Sequence, residues 1–328
     1  MEKKIGKIIC SIVCVALACF LWVGGIQAQN YPKSQIQIII PFGAGGLTDI
    51  LWRSVSESLA SNINGTITLV SKPGAGGVVG TAFAINAKPD GYTLVAANND
   101  PLTVSPLFSA NVPYRPDKDF TYLFKAAAFA QTLSVRSDSP FKTIEELIAF
   151  AKANPKKLKG GTMGIGSVPA TILGVFKHEA KIDITNVPFD GGGEVLTSVL
   201  GGHTDLVINS LSGLKAQIDA GKLRVLALCA PRRLAAYPNV PTLAEKGFAK
   251  ASIATSVGLA GPKGLPPDIV QAWEKAGEKT FKDPKIIDMV EKLGGAMIDF
   301  KTGEGFKKDI LAEYEMFKEL LPTLKGGK

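Results

Sequence analysis

The segment "PFGAGGLTD" (residues 41–49) follows the apolar run "IQIII" (36–40) and precedes a stretch with helical periodicity. It predicts a strand, a glycine turn and a helix. A similar turn, "KPGAGGVVG" (72–80), follows a second candidate strand, "TITLVS" (66–71). Backbone N–H groups converge at such a helix start, and the helix dipole adds a partial positive charge there. Each turn is therefore either an anion site or only a tight connection between a strand and a helix.

The same alternation of strands and helices continues along the chain. Further strands are predicted at 89–98 and 130–137, and the tail after residue 265 is predicted to be helical. Thr143 and Glu146 have the spacing of a helix capping box. Strands that alternate with helices predict a parallel sheet covered on both faces, which is an α/β fold.

Two more glycine turns, "TMGIGS" (162–167) and "FDGGG" (189–193), make four candidate anion sites. In open parallel sheets, ligands bind at the carboxyl ends of the strands, where all four turns are predicted. The turns at 43–48 and 74–79 have Thr48 and Val79 where the dinucleotide-binding pattern requires glycine, and no turn continues with the Lys of a P-loop. A carboxylate, which backbone N–H groups alone can hold, is the expected anion.

The side chains near these turns give no catalytic constellation. Asp49 either bonds a substrate amine or hydroxyl, or lies in the first turn of a helix and interacts with its dipole, and Asp190 has the same two interpretations. Ser167 is interpreted as a donor or a helix cap, because its context is not the G-x-S-x-G of a nucleophile. Cys229 is interpreted as a buried apolar residue on a strand. The sequence thus predicts binding without chemistry, with neither a cofactor nor a metal, and not an enzyme.

The N-terminus predicts export to the periplasm. A basic start, "MEKKIGK", is followed by an apolar stretch and then by "QAQNYP", which is typical of a signal peptide spanning residues 1–28 and cleaved after Ala28. The alternatives are a retained membrane anchor and a lipoprotein modified at Cys19. Removal of residues 1–28, which hold three lysines and one glutamate, takes the net charge from +8 to +6. The sequence contains no basic block interleaved with aromatic residues, so a nucleic-acid partner is not expected.

Five segments resemble, in order, the signature segments of the Bug proteins, which are extracytoplasmic substrate-binding receptors of tripartite tricarboxylate transporters. They are "YPKSQIQIIIPFGAGGLTD", "KPGAGGVVGTAFAINAKPDGYTL", "VPYRPDKDF", "NVPFDGGGEVLTSVLGGHTDL" and "AGKLRVLALCAPRRLAAYPNVPTLAEKGF". The resemblance covers residues 30–328. It implies a type II periplasmic-binding-protein fold, with two α/β domains and a ligand cleft between them. We expect residues 29–129 and 251–328 to form domain 1, and residues 130–250 to form domain 2.

The resemblance also implies where the ligand binds. The loops 41–49 and 73–77 are expected to hold a carboxylate through backbone N–H groups and water, and a facing loop of the other domain to complete the site. The expected ligand-binding residues are Phe42, Gly43, Ala44, Gly45, Gly46, Thr48, Asp49, Gly74, Ala75, Gly76, Gly77, Thr162, Gly164, Gly166, Ser167, Asp190 and Gly191.

The chain departs from the Bug pattern at three places. The third loop begins with Thr162 and Met163, Ala170 stands where the family has histidine, and Phe189 stands where it has tyrosine. This less polar wall favours a bulkier or monocarboxylic ligand over a small di- or tricarboxylate. The expected function is a monomeric receptor that delivers a small carboxylate to integral-membrane permease subunits. The alternatives are a two-domain α/β enzyme, such as a dinucleotide-dependent oxidoreductase, and a ligand sensor for a signalling partner.

Overall fold

The computed structural model describes residues 31–44, 47–164, 166–189 and 191–325. The predicted signal peptide, residues 1–28, lies outside this part of the chain. Ser34–Lys328 form one compact unit.

Eleven strands of the described chain form two sheets. The strands are β1 (Ile36–Ile40), β2 (Ile67–Ser71), β3 (Thr93–Asn98), β4 (Phe120–Phe129), β5 (Gln131–Arg136), β6 (Lys159–Met163), β7 (Thr185–Phe189), β8 (Leu206–Ser210), β9 (Leu223–Cys229), β10 (Thr255–Pro262) and β11 (Ala296–Thr302). Sheet 1 has the order β11-β4-β10-β3-β1-β2, and sheet 2 has the order β7-β6-β8-β5-β9.

Both sheets are mixed, whereas the sequence predicts a parallel sheet. In sheet 1, β1 pairs in parallel with β2 and β3, but β10 is antiparallel to both β3 and β4, and β11 is antiparallel to β4. In sheet 2, β6 is parallel to β7 and β8, while β5 is antiparallel to β8 and β9. The parallel part of each sheet is the part made of strand–turn–helix units, as the alternation predicts. The antiparallel part involves β4, β5, β9, β10 and β11, whose directions in the sheets the alternation did not reveal.

The helices of the described chain are α1 (Leu47–Ile63), α2 (Val78–Ile85), α3 (Ser105–Phe108), α4 (Ile144–Ala153), α5 (Val168–Ala180), α6 (Gly192–Leu200), α7 (Leu211–Asp219), α8 (Pro267–Phe281), α9 (Pro284–Lys292) and α10 (Gly303–Lys325). The capping box at the start of α4 is confirmed, because Glu146 N–H donates to Thr143 Oγ1 and Thr143 N–H donates to Glu146 Oε2. Within the described residues, no helix combines the length and the apolarity that crossing a membrane requires.

The first connection between the two sheets is a single residue. Ala130 alone separates β4 of sheet 1 from β5 of sheet 2, and it is buried. Its N–H donates to Gly295 O at 2.8 Å, and its carbonyl accepts from Leu211 N–H at 3.0 Å. The return runs from residue 230 to residue 254, between β9 and β10.

One helix belongs to the cores of both sheets. Phe306 and Ile310, near the start of α10, pack with residues of β3 and β10 in sheet 1. Phe317 and Leu320, further along α10, pack with residues of β5, β8 and α5 around sheet 2. The helix therefore connects the two halves by packing, in addition to the two passages of the chain.

Candidate functional site

A cavity of about 370 Å³ lies where strand ends from both sheets meet. Sheet 1 contributes the segments after β1 and β3 and the first residue of β10. Sheet 2 contributes the start of β5, the ends of β6 and β8, and the first turns of α5, α6 and α7. The wall consists of Phe42, Leu47, Thr48, Asn98, Asp100, Gln131, Met163, Pro169, Gly192, Gly193, Asn209, Ser210, Gly213 and Thr255.

The start of α6 lies in the wall of this cavity, and its N-cap is a glycine, which has no side chain with which to cap the helix. Its N-cap is Gly191, which lies next to Gly192 and Gly193 of the wall and makes no capping hydrogen bond through a side chain. A β-carbon on Gly193 would meet no described atom within 4 Å. Asn209 holds the first turn in place, because its Nδ2 donates to Gly192 O at 3.0 Å. The open N–H end of a helix in a cavity wall is suited to an anion.

The start of α5 is capped by two side chains instead. Ser167 is the N-cap that the sequence predicts, and its Oγ accepts from Ala170 N–H at 3.2 Å. Asp100, which follows β3 of sheet 1, accepts from Val168 N–H through Oδ1 at 3.2 Å. This helix start is therefore occupied by the protein's own oxygens, one of which comes from the other sheet.

The first glycine turn contributes Phe42 and Thr48 to the wall, while Gly43 and Ala44 are exposed and lie outside it. Asp49 lies in the first turn of α1, in agreement with the second of its two interpretations. It is buried, and its Oδ2 accepts from Arg53 Nε at 2.9 Å. The predicted residues Gly45, Gly46 and Asp190 lie outside the described residues.

The second glycine turn, Gly74–Gly77, lies behind Phe42 and not in the cavity wall. A β-carbon on Gly77 would lie 3.0 Å from Phe42 Cζ, so the turn supports the ring from the far side. Gly76 has a φ of +64°, the left-handed conformation that favours glycine. Lys72, which borders this turn, places its ammonium 4.2 Å from the centre of the Phe83 ring. The lysine is thus engaged away from the cavity.

The predicted residues of the third turn lie beside the wall. Thr162 is buried, and its Oγ1 donates to Asn186 Oδ1 on β7 at 2.7 Å. Gly164 and Gly166 are not wall residues, and a β-carbon on Gly166 would lie 3.4 Å from Phe108 Cβ. Met163 and Pro169 reach the cavity from either side of this turn.

Sequence reasoning missed the polar side chains of the wall, which are Asn98, Asp100, Gln131, Asn209, Ser210 and Thr255. For four of them a signal was available. "NND" (98–100) comes directly after the apolar run of β3, and "NS" (209–210) follows the apolar start of β8, where the carboxyl ends of parallel strands meet. Gln131 and Thr255 had no such signal, because they begin antiparallel strands.

Two half-buried carboxyl groups, Asp100 and Glu313, interact electrostatically near this junction. Burial raises the pKa of Asp100, against the opposing effect of the Val168 N–H bond. Burial, together with the charge of Asp100, raises the pKa of Glu313 on α10 to about 7, although Thr103 and Asn99 donate to its carboxylate and Lys125 lies nearby. Asn99 also donates to Ala254 O at 3.0 Å, at the end of the return passage. These groups therefore respond to pH next to a connection between the sheets.

A comparison with protein families decides the affiliation of the chain. Residues 51–304 match the model of the tripartite tricarboxylate transporter family receptor, TctC. The chain belongs to the TctC family. The resemblance to the Bug proteins is thereby confirmed, and the family consists of solute-binding receptors of transporters.

Curated relatives agree with the TctC affiliation. The UPF0065 protein of the gbd 5′ region of Cupriavidus necator is 33% identical over 268 residues, which are 81% of this chain and 80% of that protein. Protein BugT of Bordetella pertussis is 28% identical over 274 residues, which are 83% of this chain and 84% of BugT.

Solved TctC-like structures share the fold. A periplasmic transporter is 34% identical with a TM-score of 0.76, over 89% of this chain and 97% of that one. A Rhodopseudomonas palustris protein solved with adipate has a TM-score of 0.77, over 90% of this chain and 98% of that one. MatC of the same organism, solved with bound malate, has a TM-score of 0.74, over 89% and 100%. Both are 24% identical to this chain, so that likeness concerns the fold alone.

Proposed function

We infer that this TctC-family chain is a receptor that captures a small carboxylate in the cavity between its two sheets and delivers it to a membrane permease. The observation that carries the proposal is the glycine-rich start of α6, whose Gly192 and Gly193 line the cavity at the N-terminal end of a helix. Among its described residues the wall contains no lysine, arginine or histidine. The nearby Lys72 and Arg53 are engaged with Phe83 and Asp49. Backbone N–H groups are therefore the donors available to a carboxylate.

Such donors suffice for a transport receptor. A hydrogen bond to a charged group contributes roughly 1.5–3 kcal/mol. Four or five of them contribute roughly 6–15 kcal/mol, which is comparable with the ~4–15 kcal/mol cost of immobilising a ligand. An affinity no tighter than about micromolar is therefore expected from these bonds alone.

The proposed site extends to the glycine turns on either side of the wall. Phe42, Thr48 and Gly191 belong to the wall or adjoin it, and the turn 74–77 supports Phe42. The remaining predicted residues of the first turn would reach the ligand through backbone N–H groups or water as the halves close, while those of the third turn would lie beside the ligand without holding its carboxylate. Asp190, which precedes the N-cap residue Gly191 of α6, is also proposed to contact the ligand.

Closure is proposed between two domains, residues 29–129 with 251–328 and residues 130–250, about hinges near Ala130 and Ser252. Residues of α10 pack in the cores of both sheets, so closure of the cavity would require this helix to slide or bend. X-ray scattering with and without saturating ligand should give a smaller radius of gyration when ligand is bound. An unchanged radius at saturation would contradict hinged closure.

Binding without catalysis is part of the proposal. Cys229, the thiol that a catalytic alternative would use, is buried, and burial raises its pKa, which opposes thiolate formation. An oxidoreductase would require the dinucleotide fingerprint that Thr48 and Val79 interrupt. Recovery of bound ligand unchanged after prolonged incubation, by mass spectrometry, tests this part.

Titration calorimetry tests the proposed function. Adipate and malate, ligands of proteins with the same fold, are the first probes, and butyrate represents monocarboxylates. Each acid is compared with its uncharged amide, which has nearly the same shape. We expect a carboxylate to bind and its amide to bind at least about 100-fold more weakly, a difference of ~2.7 kcal/mol. Equal binding of acid and amide, or no binding by any carboxylate in a wider panel, would refute the function.

Export and partnership complete the proposal. Residues 1–28 would be removed as a signal peptide, leaving a monomeric periplasmic receptor with the single thiol of Cys229, which docks on integral-membrane permease subunits. The intact mass of protein purified from the periplasm tests the cleavage, and a mass that includes Met1 would contradict it.

Loss of carboxylate uptake on deletion of the gene, restored by the full chain, separates transport from signalling.

A further inference from the structure

Two buried amide side chains lie in the cleft wall, each bonded through its nitrogen to a threonine. Asn98 Nδ2 donates to Thr48 Oγ1 at 2.9 Å, and Gln131 Nε2 donates to Thr255 Oγ1 at 3.1 Å. Asn98 is 2% exposed and Gln131 is 3% exposed. All four residues line the cavity. The nitrogen ends of both amides are therefore used within the protein.

The oxygen ends of the same amides have no such partner. Neither Asn98 Oδ1 nor Gln131 Oε1, both buried, accepts a hydrogen bond from any residue that the structure describes. Asn209, in the same wall, has the usual arrangement, because its Nδ2 donates to Gly192 O and its Oδ1 accepts from Ser210 N–H at 2.8 Å. Buried amide oxygens are nearly always hydrogen-bonded in folded proteins. Asn98 and Gln131 thus present two acceptors to whatever enters the cavity.

The charge of the cavity wall also favours a ligand that carries a hydrogen-bond donor. Asp100 is its only charged side chain among the described residues, and it belongs to the segment that directly follows Asn98. The wall therefore combines two amide oxygens with a carboxylate. Such a wall attracts a hydrogen-bond donor and repels a carboxylate group. The opposite character, with N–H groups and a helix dipole, is found at the start of α6.

We propose that the ligand is a carboxylate that also carries a hydroxyl or ammonium donor, which Asn98 and Gln131 accept while the start of α6 holds the carboxylate. The inference rests on the proposed function and refines it by naming the ligand class. It makes Asn98 and Gln131 the residues that determine specificity. Thr48 and Thr255 act as positioning residues, since each holds its amide side chain in the wall through a hydrogen bond.

The first test is a matched ligand series, measured by calorimetry on the wild-type chain. Butyrate, 3-hydroxybutyrate and 3-aminobutyrate differ only in the donor, and succinate, malate and aspartate form the equivalent dicarboxylate series. We expect the hydroxy or amino member to bind about 10–100-fold tighter than the unsubstituted acid. If the amino member is preferred, Asp100→Asn should weaken that member alone. If the hydroxy member is preferred, Asp100→Asn should change the affinity for that member little, because a hydroxyl carries no charge.

The second test separates an oxygen that accepts from a nitrogen that donates. Asn98→Asp and Gln131→Glu keep an oxygen towards the ligand, since the threonine hydroxyl can donate as well as accept. Both variants should retain the preference for the substituted acid. Asn98→Leu and Gln131→Met remove the acceptor and should abolish that preference, so that the hydroxy and amino members bind no tighter than the unsubstituted acid. If the acidic variants lose all binding while Leu and Met variants bind normally, the amide nitrogens face the ligand and the inference is wrong.

The outcomes separate this inference from the proposed function. If no carboxylate binds, both fail. If the unsubstituted acid binds as tightly as its hydroxy and amino relatives, the inference alone fails and the receptor function stands. Should the Leu or Met variants not fold, as thermal unfolding would reveal, the ligand series and the acidic variants still decide.

Discussion

The starts of α5 and α6 follow similar glycine turns, "TMGIGS" and "FDGGG", yet their N–H groups meet different partners. At α5, Ser167 and Asp100 accept from Ala170 and Val168 N–H groups. At α6, the N-cap is a glycine without a capping side chain, and the first turn faces the cavity. Among the described residues, side-chain oxygens from elsewhere in the chain bond the N–H groups of the α5 start, so we expect the α6 start to be the better anion site. The four predictions below test this difference.

The largest difference in ligand affinity is expected between two variants, one with a side chain added at the start of α6 and one with a side chain added in the turn before α5. Gly193→Val places methyl groups in the open space before α6, where the carboxylate is proposed to bind, and should weaken binding at least about 1,000-fold, ~4 kcal/mol. Gly164→Val is the matched control beside α5, where the nearest atom to an added β-carbon is Phe189 O at 3.9 Å. Neither glycine has a positive φ. Calorimetry should find Gly164→Val near wild type.

The reverse result is equally informative. If Gly164→Val abolished binding and Gly193→Val did not, then the turn before α5, and not the start of α6, would hold the carboxylate.

The next largest effect is a dependence of stability on pH. It involves Glu313, whose pKa is raised in part by the charge of the Asp100 carboxyl that caps α5. The pKa of Glu313 is raised to about 7 in the folded protein from an ordinary 4.5, and the charge of Asp100 is one cause. A raised carboxyl pKa means that the folded state binds more protons than the unfolded state. Its contribution to stability is thus complete below pH 4.5 and is lost as pH rises through about 7, by at most about 3 kcal/mol.

Urea unfolding at pH 5, 6, 7 and 8 measures this loss. The difference in the free energy of unfolding between wild type and Glu313→Gln should change across that range, and Asp100→Asn should shift the change to lower pH. A difference that stays constant from pH 5 to pH 8 would show that Glu313 does not titrate there.

A smaller effect is expected from removing the cap of α5. Ser167→Ala should lower the free energy of unfolding by about 1 kcal/mol, because Ala170 N–H loses its acceptor. Thr143→Ala, at the capping box of α4, is the matched control and should cost a similar amount. Ligand affinity should stay within about twofold for both variants. A large loss of affinity in Ser167→Ala alone would place its hydroxyl on the ligand.

The smallest effect is expected from the cations near the first two turns. Lys72→Ala and Arg53→Ala should change affinity less than about threefold, since both side chains are engaged elsewhere and act on the ligand only through screened charge. Titrations at low and moderate salt should agree. Loss of binding in either folded variant would mean that a side-chain cation holds the carboxylate.

The local parts of the fold could be predicted from the sequence. The units β1–α1 and β2–α2 were predicted because an apolar run, glycines and helical periodicity lie within about thirty residues. In contrast, β4 was missed, since its "KAAA" (125–128) favours a helix and Lys125 suggests solvent. Lys125 is buried because Asp299 and Asp309 lie 2.6 and 2.9 Å from its ammonium, which only the tertiary structure arranges. The prediction of an all-helical tail was wrong at β11 for a related reason, since "AMIDFKT" has its charges neutralised from β4 and α10.

The candidate site, like the fold, could be predicted only in part from the sequence. Phe42, Thr48 and the 191–193 turn were predicted because glycine turns are visible in sequence, and they line or adjoin the cavity. Whether a turn is free to bind depends on residues such as Asp100, which lies 68 positions from the Val168 N–H that it occupies. No pattern of spacing reveals such a pair. The domain boundaries and the roles of the second and third turns remain predictions.

The order of the strands in sheet 1 also has a consequence for how the protein is made. In sheet 1, β10 lies between β3 and β4, yet the ribosome reaches it only after all five strands of sheet 2. Until residue 262 has been synthesised, β3 and β4 lack a neighbour on that side, and unpaired strand edges are prone to join other chains. Sheet 2 is complete at residue 229 and is expected to form first, with sheet 1 closing around it. A chain stalled between these two points should therefore be the species on which chaperones act.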